Sequence, residues 1–106
     1  MTQFRLSPEA ESELDQIWLY IAEANGSIDR ANRTIDDIFD RFWILARHPY
    51  LGRPRDHDLR QNLRSLAVDE YVVFYRIDDD ATVLILHVIH GKRDIESLIA
   101  SQPTGL

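Results

Sequence analysis

The chain has 106 residues, no cysteine and a formal net charge of −6. That length fits one domain, residues 1–106, built on a single core. The lack of cysteine excludes a disulfide framework and a thiolate metal site, and the acidic balance is poorly suited to non-specific nucleic-acid binding, which rests on neutralising phosphates.

The charge is unevenly placed. Residues 1–40 carry 3 basic and 9 acidic side chains, residues 41–76 carry 7 and 4, and residues 77–106 carry 2 and 5. Of the 12 basic residues, only Lys92 is lysine. Arginine makes forked, planar contacts with carboxylates and phosphates. The first residues are polar and Pro8 follows at once, so no signal peptide is expected. No apolar run is long enough to span a bilayer. A soluble cytoplasmic domain without membrane contact is the expectation.

Gln3 to Leu6 alternates and reads as an edge strand. Ser7-Pro8-Glu9 then opens a helix. Ser7 can cap free backbone N–H groups, and Pro8 at the first helical position lacks an N–H that would be unpaired anyway. Glu9 and Glu11 suit the positive end of the helix dipole. Ala10, Leu14, Ile17, Trp18, Ile21 and Ala24 follow helical spacing and predict one buried stripe, with Leu19 on the opposite side. Asn25-Gly26 ends the helix. A second helix starts at Ser27 or Asp29, with Ala31, Ile35, Ile38, Phe39, Phe42, Leu45 and Ala46 as its stripe. Trp43 sits at the stripe's margin and Ile44 behind it. The short break between the helices predicts an antiparallel hairpin.

His48-Pro49-Tyr50-Leu51-Gly52-Arg53-Pro54 stops the second helix, because Pro49 turns His48 away from helical geometry and Gly52 and Pro54 keep the segment irregular. Residues 55–62 read as a polar connector. From Leu63 to Arg93 three runs rich in Val, Ile, Leu and Tyr are separated by acidic turns, which predicts a three-stranded antiparallel meander. Alternation places Tyr71, Val73, Tyr75 and Ile77 on one face and Val72, Phe74 and Arg76 on the other. In the last strand it sets Val83, Ile85, His87 and Ile89 against Leu84, Leu86, Val88 and His90. Both faces are apolar, so one should take the helical hairpin and the other a tail or a partner. Asp94 to Ala100 is expected to form a short closing helix, and residues 101–106 a frayed end. The fold class is α+β, in the order β-α-α-β-β-β with a short C-terminal helix. The N-terminal strand joins the meander and the hairpin packs on one sheet face.

The wording of several segments goes further than the pattern. Leu6-Ser7-Pro8-Glu9-Ala10, His48-Pro49 with Leu51-Gly52-Arg53, Arg64, Tyr71-Val72-Val73-Phe74-Tyr75-Arg76 and His87-Val88-Ile89-His90-Gly91-Lys92-Arg93-Asp94 follow in that order. Over residues 3–96 the chain resembles the ParE toxins of bacterial toxin–antitoxin modules, within the RelE/ParE superfamily. The resemblance implies a compact domain that is toxic when free and is neutralised by a cognate antitoxin encoded beside it, of the ParD-like ribbon-helix-helix type. ParE-type members are associated with poisoning DNA gyrase, whereas RelE-type members cut mRNA on the ribosome.

Metal-free RNA cleavage needs a base, an acid and cations around one phosphate. The residues available for it are Arg60, Arg64, Arg76, His90, Lys92 and Arg93, with His90 able to act as acid or base near neutral pH. No tyrosine follows the last strand, and the acidic chain would be repelled by RNA at long range. A gyrase poison needs only a shaped surface. The expectation is therefore a non-enzymatic toxin with no catalytic residues, no metal and no cofactor, and no direct nucleic-acid binding when free. Off-stripe Leu19, Trp43 and Ile44 are its gyrase-contact candidates. Arg64, Tyr71, Tyr75, Arg76 and Trp43 are candidates for gripping the antitoxin, although Arg64 and Arg76 could instead pair with Asp69, Glu70 or Asp94. His87 reads as a satisfied core histidine. His57 between Asp56 and Asp58 reads as a solvated loop and not a metal site. An inert interaction module that kept the fold is the remaining alternative, since fold does not fix function.

Overall fold

The computed structural model describes residues 3–93 and 95–100. Ser7 separates the first strand, β1 (Phe4–Leu6), from the first helix, α1 (Pro8–Asn25). Its hydroxyl accepts from the Ala10 N–H at 3.0 Å and donates to the Leu86 carbonyl at 2.8 Å. One side chain thus caps the helix and pins its start to the sheet. Gly26, at φ 61°, closes α1 in the left-handed conformation that glycine adopts without a steric penalty. Ser27 caps α2 (Ile28–Arg47) by accepting from the Arg30 N–H at 3.1 Å. Near the turn, Trp18 Nε1 donates to Asn32 Oδ1 at 2.8 Å and ties the two helices together.

The sheet has five strands in the order β1-β5-β4-β3-β2, with β2 at Arg53–Pro54, β3 at Arg64–Val68, β4 at Tyr71–Ile77 and β5 at Val83–His90. β1 runs parallel to β5, and the other neighbours are antiparallel. The predicted α+β architecture is what the chain adopts, with one addition. β2 is not among the expected strands, because two residues carry no alternation. Pro54 has no N–H to donate, which suits the edge that β2 occupies.

The hairpin covers one sheet face. Leu14, Ile17, Ile21, Ile38, Phe42 and Leu45 pack there against Tyr71, Val73, Tyr75, Val83, Ile85 and Val88. Ala24 is exposed, and Ala22 packs against this core in its place. The second face carries a smaller cluster of Leu63, Phe74, Leu86 and Ile89, capped by Ile99 of α3 (Ile95–Ala100). The tail thus covers the face that alternation left apolar, while Asp94 and residues 101–106 lie outside the described residues.

Strict alternation fails in β5. Phe74 faces His87 while Tyr75 faces Ile85, so Leu86 is an extra residue. Such a bulge shifts the pleat by one. Val83, Ile85 and Val88 therefore meet the hairpin, whereas His87, opposite Phe74, and Ile89 turn to the α3 side. A run that is apolar on both faces leaves no sequence mark for the shift.

Candidate functional site

The chemistry-bearing residues fall at the two ends of β4. At its C-terminal end stands the segment 48–54, a loop that runs into β2. The Tyr75 hydroxyl donates to the Pro49 carbonyl at 2.6 Å and accepts from the Gly52 N–H at 2.9 Å. Arg64 Nη2 donates to the carbonyls of Tyr50 at 3.1 Å and Gly52 at 2.6 Å, and its guanidinium lies 5.2 Å from the Tyr50 ring centroid. Gly52 is packed so closely that an added Cβ would lie 2.5 Å from Tyr75 Oη and 2.7 Å from the Ser65 carbonyl oxygen. Two strand side chains therefore hold the loop backbone.

This geometry corrects two expectations. Tyr75 is 0% exposed, so it cannot be an antitoxin contact; alternation places it on a face but does not tell a buried strut from a docking group. Arg64 bonds loop carbonyls, and among the described residues it pairs with neither Asp69 nor Glu70; Asp94 lies outside them. Arg76 sits on the opposite sheet face and pairs through Nε with Asp78 at 2.9 Å, while Asp78 also takes Arg5 at 3.0 Å. In the adjoining turn, the Thr82 N–H donates to Asp80 and holds its carboxyl below the usual carboxylate range.

In the connector, Arg55 forks onto Asp58 at 2.7 Å and lowers that carboxyl as well. Asp56 accepts from the Asn62 N–H at 3.0 Å. The two acids beside His57 are thus engaged in holding the loop. Among the described residues no three His, Asp or Glu side chains are placed to share a metal ion.

The N-terminal end of β4 is built differently. Tyr71 meets His90 edge to face at 5.4 Å. The Lys92 N–H donates to His90 Nδ1 at 3.1 Å, which leaves Nε2 as the nitrogen able to carry a proton outward. Lys92 and Arg93 are exposed. These residues line a groove of about 880 Å³ between α1 and the sheet end, with Tyr20 on its far wall. Burial, and then the charges of Glu70 and Tyr20, raise the Tyr71 phenol above its ordinary range. Strand pairing thus supplies the tyrosine that the C-terminal sequence lacks. The cross-strand register could have found it; the linear order could not. Arg76 is five residues along β4 from Tyr71, so it stands about 17 Å from His90.

On the hairpin, Leu19 is 51% and Trp43 54% exposed, while Ile44 is half-buried. Trp43 rests against Phe4 at 4.7 Å, edge to face. His87 is buried and only half satisfied. Its Nδ1 meets Glu13 Oε2 at 3.0 Å, and its Nε2 has no partner among the described residues. Glu13 Oε1 also takes the Val88 N–H at 2.9 Å, closing the edge of β5 beyond the end of β1. The exposed Tyr50 and Leu51 belong to the segment read as stopping α2, Leu51 also to the wording that resembles the family, and neither is among the expected contacts. The clue was two apolar residues in a Pro/Gly segment with no periodicity to bury them.

Residues 4–95 match the family described as the ParE toxin of the type II toxin–antitoxin system parDE. The chain is 34% identical over 90 residues to the toxin ParE1 of Caulobacter vibrioides, covering 85% of this chain and 90% of that protein. It is 26% identical over 95 residues to the toxin ParE1 of Mycobacterium tuberculosis, covering 90% and 95%. It is also 34% identical over 86 residues to the toxin RelE3 of Caulobacter vibrioides, covering 79% and 89%. Among solved structures, a chromosomal ParDE system from P. aeruginosa shares the fold at TM-score 0.72 and 18% identity, covering 85% of this chain and 96% of that one. The toxin–antitoxin complex RelBE2 from Mycobacterium tuberculosis shares it at TM-score 0.65 and 24% identity, covering 84% and 96%.

Proposed function

The chain belongs to the ParE toxin family of type II toxin–antitoxin systems, and from that premise we propose that it acts by binding: it seizes DNA gyrase, blocks replication in the cytoplasm, and is silenced by a ParD-like antitoxin. The observation that carries this reading is the separation of the polar candidates. A nuclease centre gathers its base, acid and cations around one phosphate. Here Arg76 stands about 17 Å from His90, and Arg64 pairs with Tyr75 at that same far end of β4. Arg64 also gives its donors to two loop carbonyls. The exposed Leu19 and Trp43, beside half-buried Ile44, support the acidic hairpin as a contact surface for gyrase. No helix among the described residues is long and apolar enough to cross a membrane.

An antitoxin is the partner expected of a type II toxin, and the two structural relatives are themselves toxin–antitoxin assemblies. An amphipathic helix over the hairpin and an extended segment along the sheet are the two recognition modes that this surface suits. Trp43, Tyr71 at the floor of its groove and Arg76 remain its proposed contacts, with Arg64 in a supporting place.

Purified gyrase assayed for supercoiling, beside translation-dependent mRNA cleavage, tests the proposal. Loss of supercoiling with intact mRNA is expected. Cut mRNA with normal supercoiling would reject it. That second outcome would favour a RelE-like nuclease, a reading supported by Tyr71, His90, Lys92 and Arg93 meeting at one groove and by the similarity to RelE3. In that case His90→Ala should abolish cleavage.

A further inference from the structure

The loop 48–54 has no part in the function proposed above. We propose that it is a rigid knob through which the chain engages the folded protein it inhibits: an apolar tip among arginines, fitting an acid-rimmed apolar pocket on the target. This rests on the toxin reading, but not on gyrase being the target.

Connecting loops are ordinarily the mobile, adaptable part of a domain. This one is held by four hydrogen bonds with Tyr75 and Arg64, and by the close packing of Gly52 against Tyr75 and Ser65. What all this holding presents to solvent is Tyr50, 73% exposed, and Leu51, 53% exposed. A loop fixed before binding loses little conformational freedom on binding. Tyrosine and arginine are the residue types that most often dominate interfaces. Exposed Arg47 and Arg53 flank the tip in sequence and the Arg64 guanidinium lies over the Tyr50 ring, while Asp56, Asp78, Asp79 and Asp80 border the far side of the pocket that Tyr50 and Arg64 share. Arg53 keeps a 70% exposed side chain and reaches Asp58 only at 3.8 Å, so its charge is available to a partner.

The shape and charge select the occupant. A flexible antitoxin tail fits grooves, and the groove beside α1 offers one. A preformed projecting tip fits a pocket that already exists on a folded surface. Leu51 offers nothing to a phosphate, and the net charge of −6 opposes nucleic acid.

The test uses the full chain expressed from an inducible promoter without antitoxin, as wild type, Tyr50→Ala/Leu51→Ala, Arg47→Glu/Arg53→Glu and Arg47→Lys/Arg53→Lys. Growth arrest, thermal unfolding, retardation of plasmid DNA and affinity for the purified product of the adjoining antitoxin reading frame are read for each. The alanine pair should raise the expression needed for arrest by about tenfold or more. Its unfolding temperature should stay at the wild-type value and its antitoxin affinity within about threefold of wild type. The glutamate pair should weaken arrest, and the lysine pair should keep most of it. Undiminished arrest by the alanine pair would overturn the proposal. So would a parallel loss of antitoxin affinity, which would make the loop an antitoxin seat, or DNA retardation that depends on the tip. A wild-type chain that arrests nothing would remove the target and the proposal together. Loop-dependent arrest with gyrase unaffected would reject gyrase and leave this inference standing.

Discussion

The two ends of β4 use similar residues in opposite ways. At the C-terminal end, Tyr75 and Arg64 turn inward and hold a loop backbone. At the N-terminal end, exposed Lys92 and Arg93 and half-buried His90 border an open groove floored by buried Tyr71, and His90 accepts the Lys92 N–H. A tyrosine or arginine therefore reveals its role only once its partners are known. Where the partner is a buried carbonyl or N–H, the side chain is structural, because losing it strands a desolvated polar group. Where it faces solvent, it is available to a ligand.

Gly52→Ala should separate the two ends most strongly. Its Cβ would meet the Ser65 backbone as well as Tyr75, so the loop must shift, at a cost of about 3 kcal/mol and roughly 12 °C in Tm. Tyr75→Phe comes next. It strands the Pro49 carbonyl and the Gly52 N–H and should cost about 2 kcal/mol, read by urea unfolding. Arg64→Ala removes two half-exposed bonds and should cost about 1 kcal/mol in the same experiment. At the other end, changing the exposed Lys92 and Arg93 together to alanine should move stability by less than about 0.5 kcal/mol, since surface groups away from buried networks rarely matter. A larger loss there would break the comparison.

The smallest effect is alkaline. The fold raises the Tyr71 phenol above its ordinary range, which favours the protonated form. Its contribution is therefore intact below the ordinary tyrosine range and is lost as pH climbs through the raised value in the folded state. Denaturation of Tyr71→Phe beside wild type at rising alkaline pH should show this small loss in wild type alone.

Much of this fold is legible in the chain because its signals are local. Ser7-Pro8 and Asn25-Gly26 bound α1, and the apolar stripes choose the buried helix faces. β-branched runs mark three strands. What stayed hidden depends on distant partners. Tyr75 finds Pro49 across 26 positions and Gly52 across 23. The bulge at Leu86 exists only relative to β4. Of the candidate site residues, Leu19 and Trp43 are exposed where helical spacing left them, whereas Tyr75 and Arg64 are claimed by a loop whose path no periodicity describes.

Inhibition by binding and inhibition by catalysis separate in a titration. A fixed amount of purified gyrase is titrated with the chain, and supercoiling and ribosome-bound mRNA are followed together. A binding inhibitor should lower supercoiling in proportion to the amount added, level off near equivalence, and leave the mRNA whole. Cleavage of that mRNA by far less than equivalent amounts of the chain, with supercoiling intact, would contradict the account.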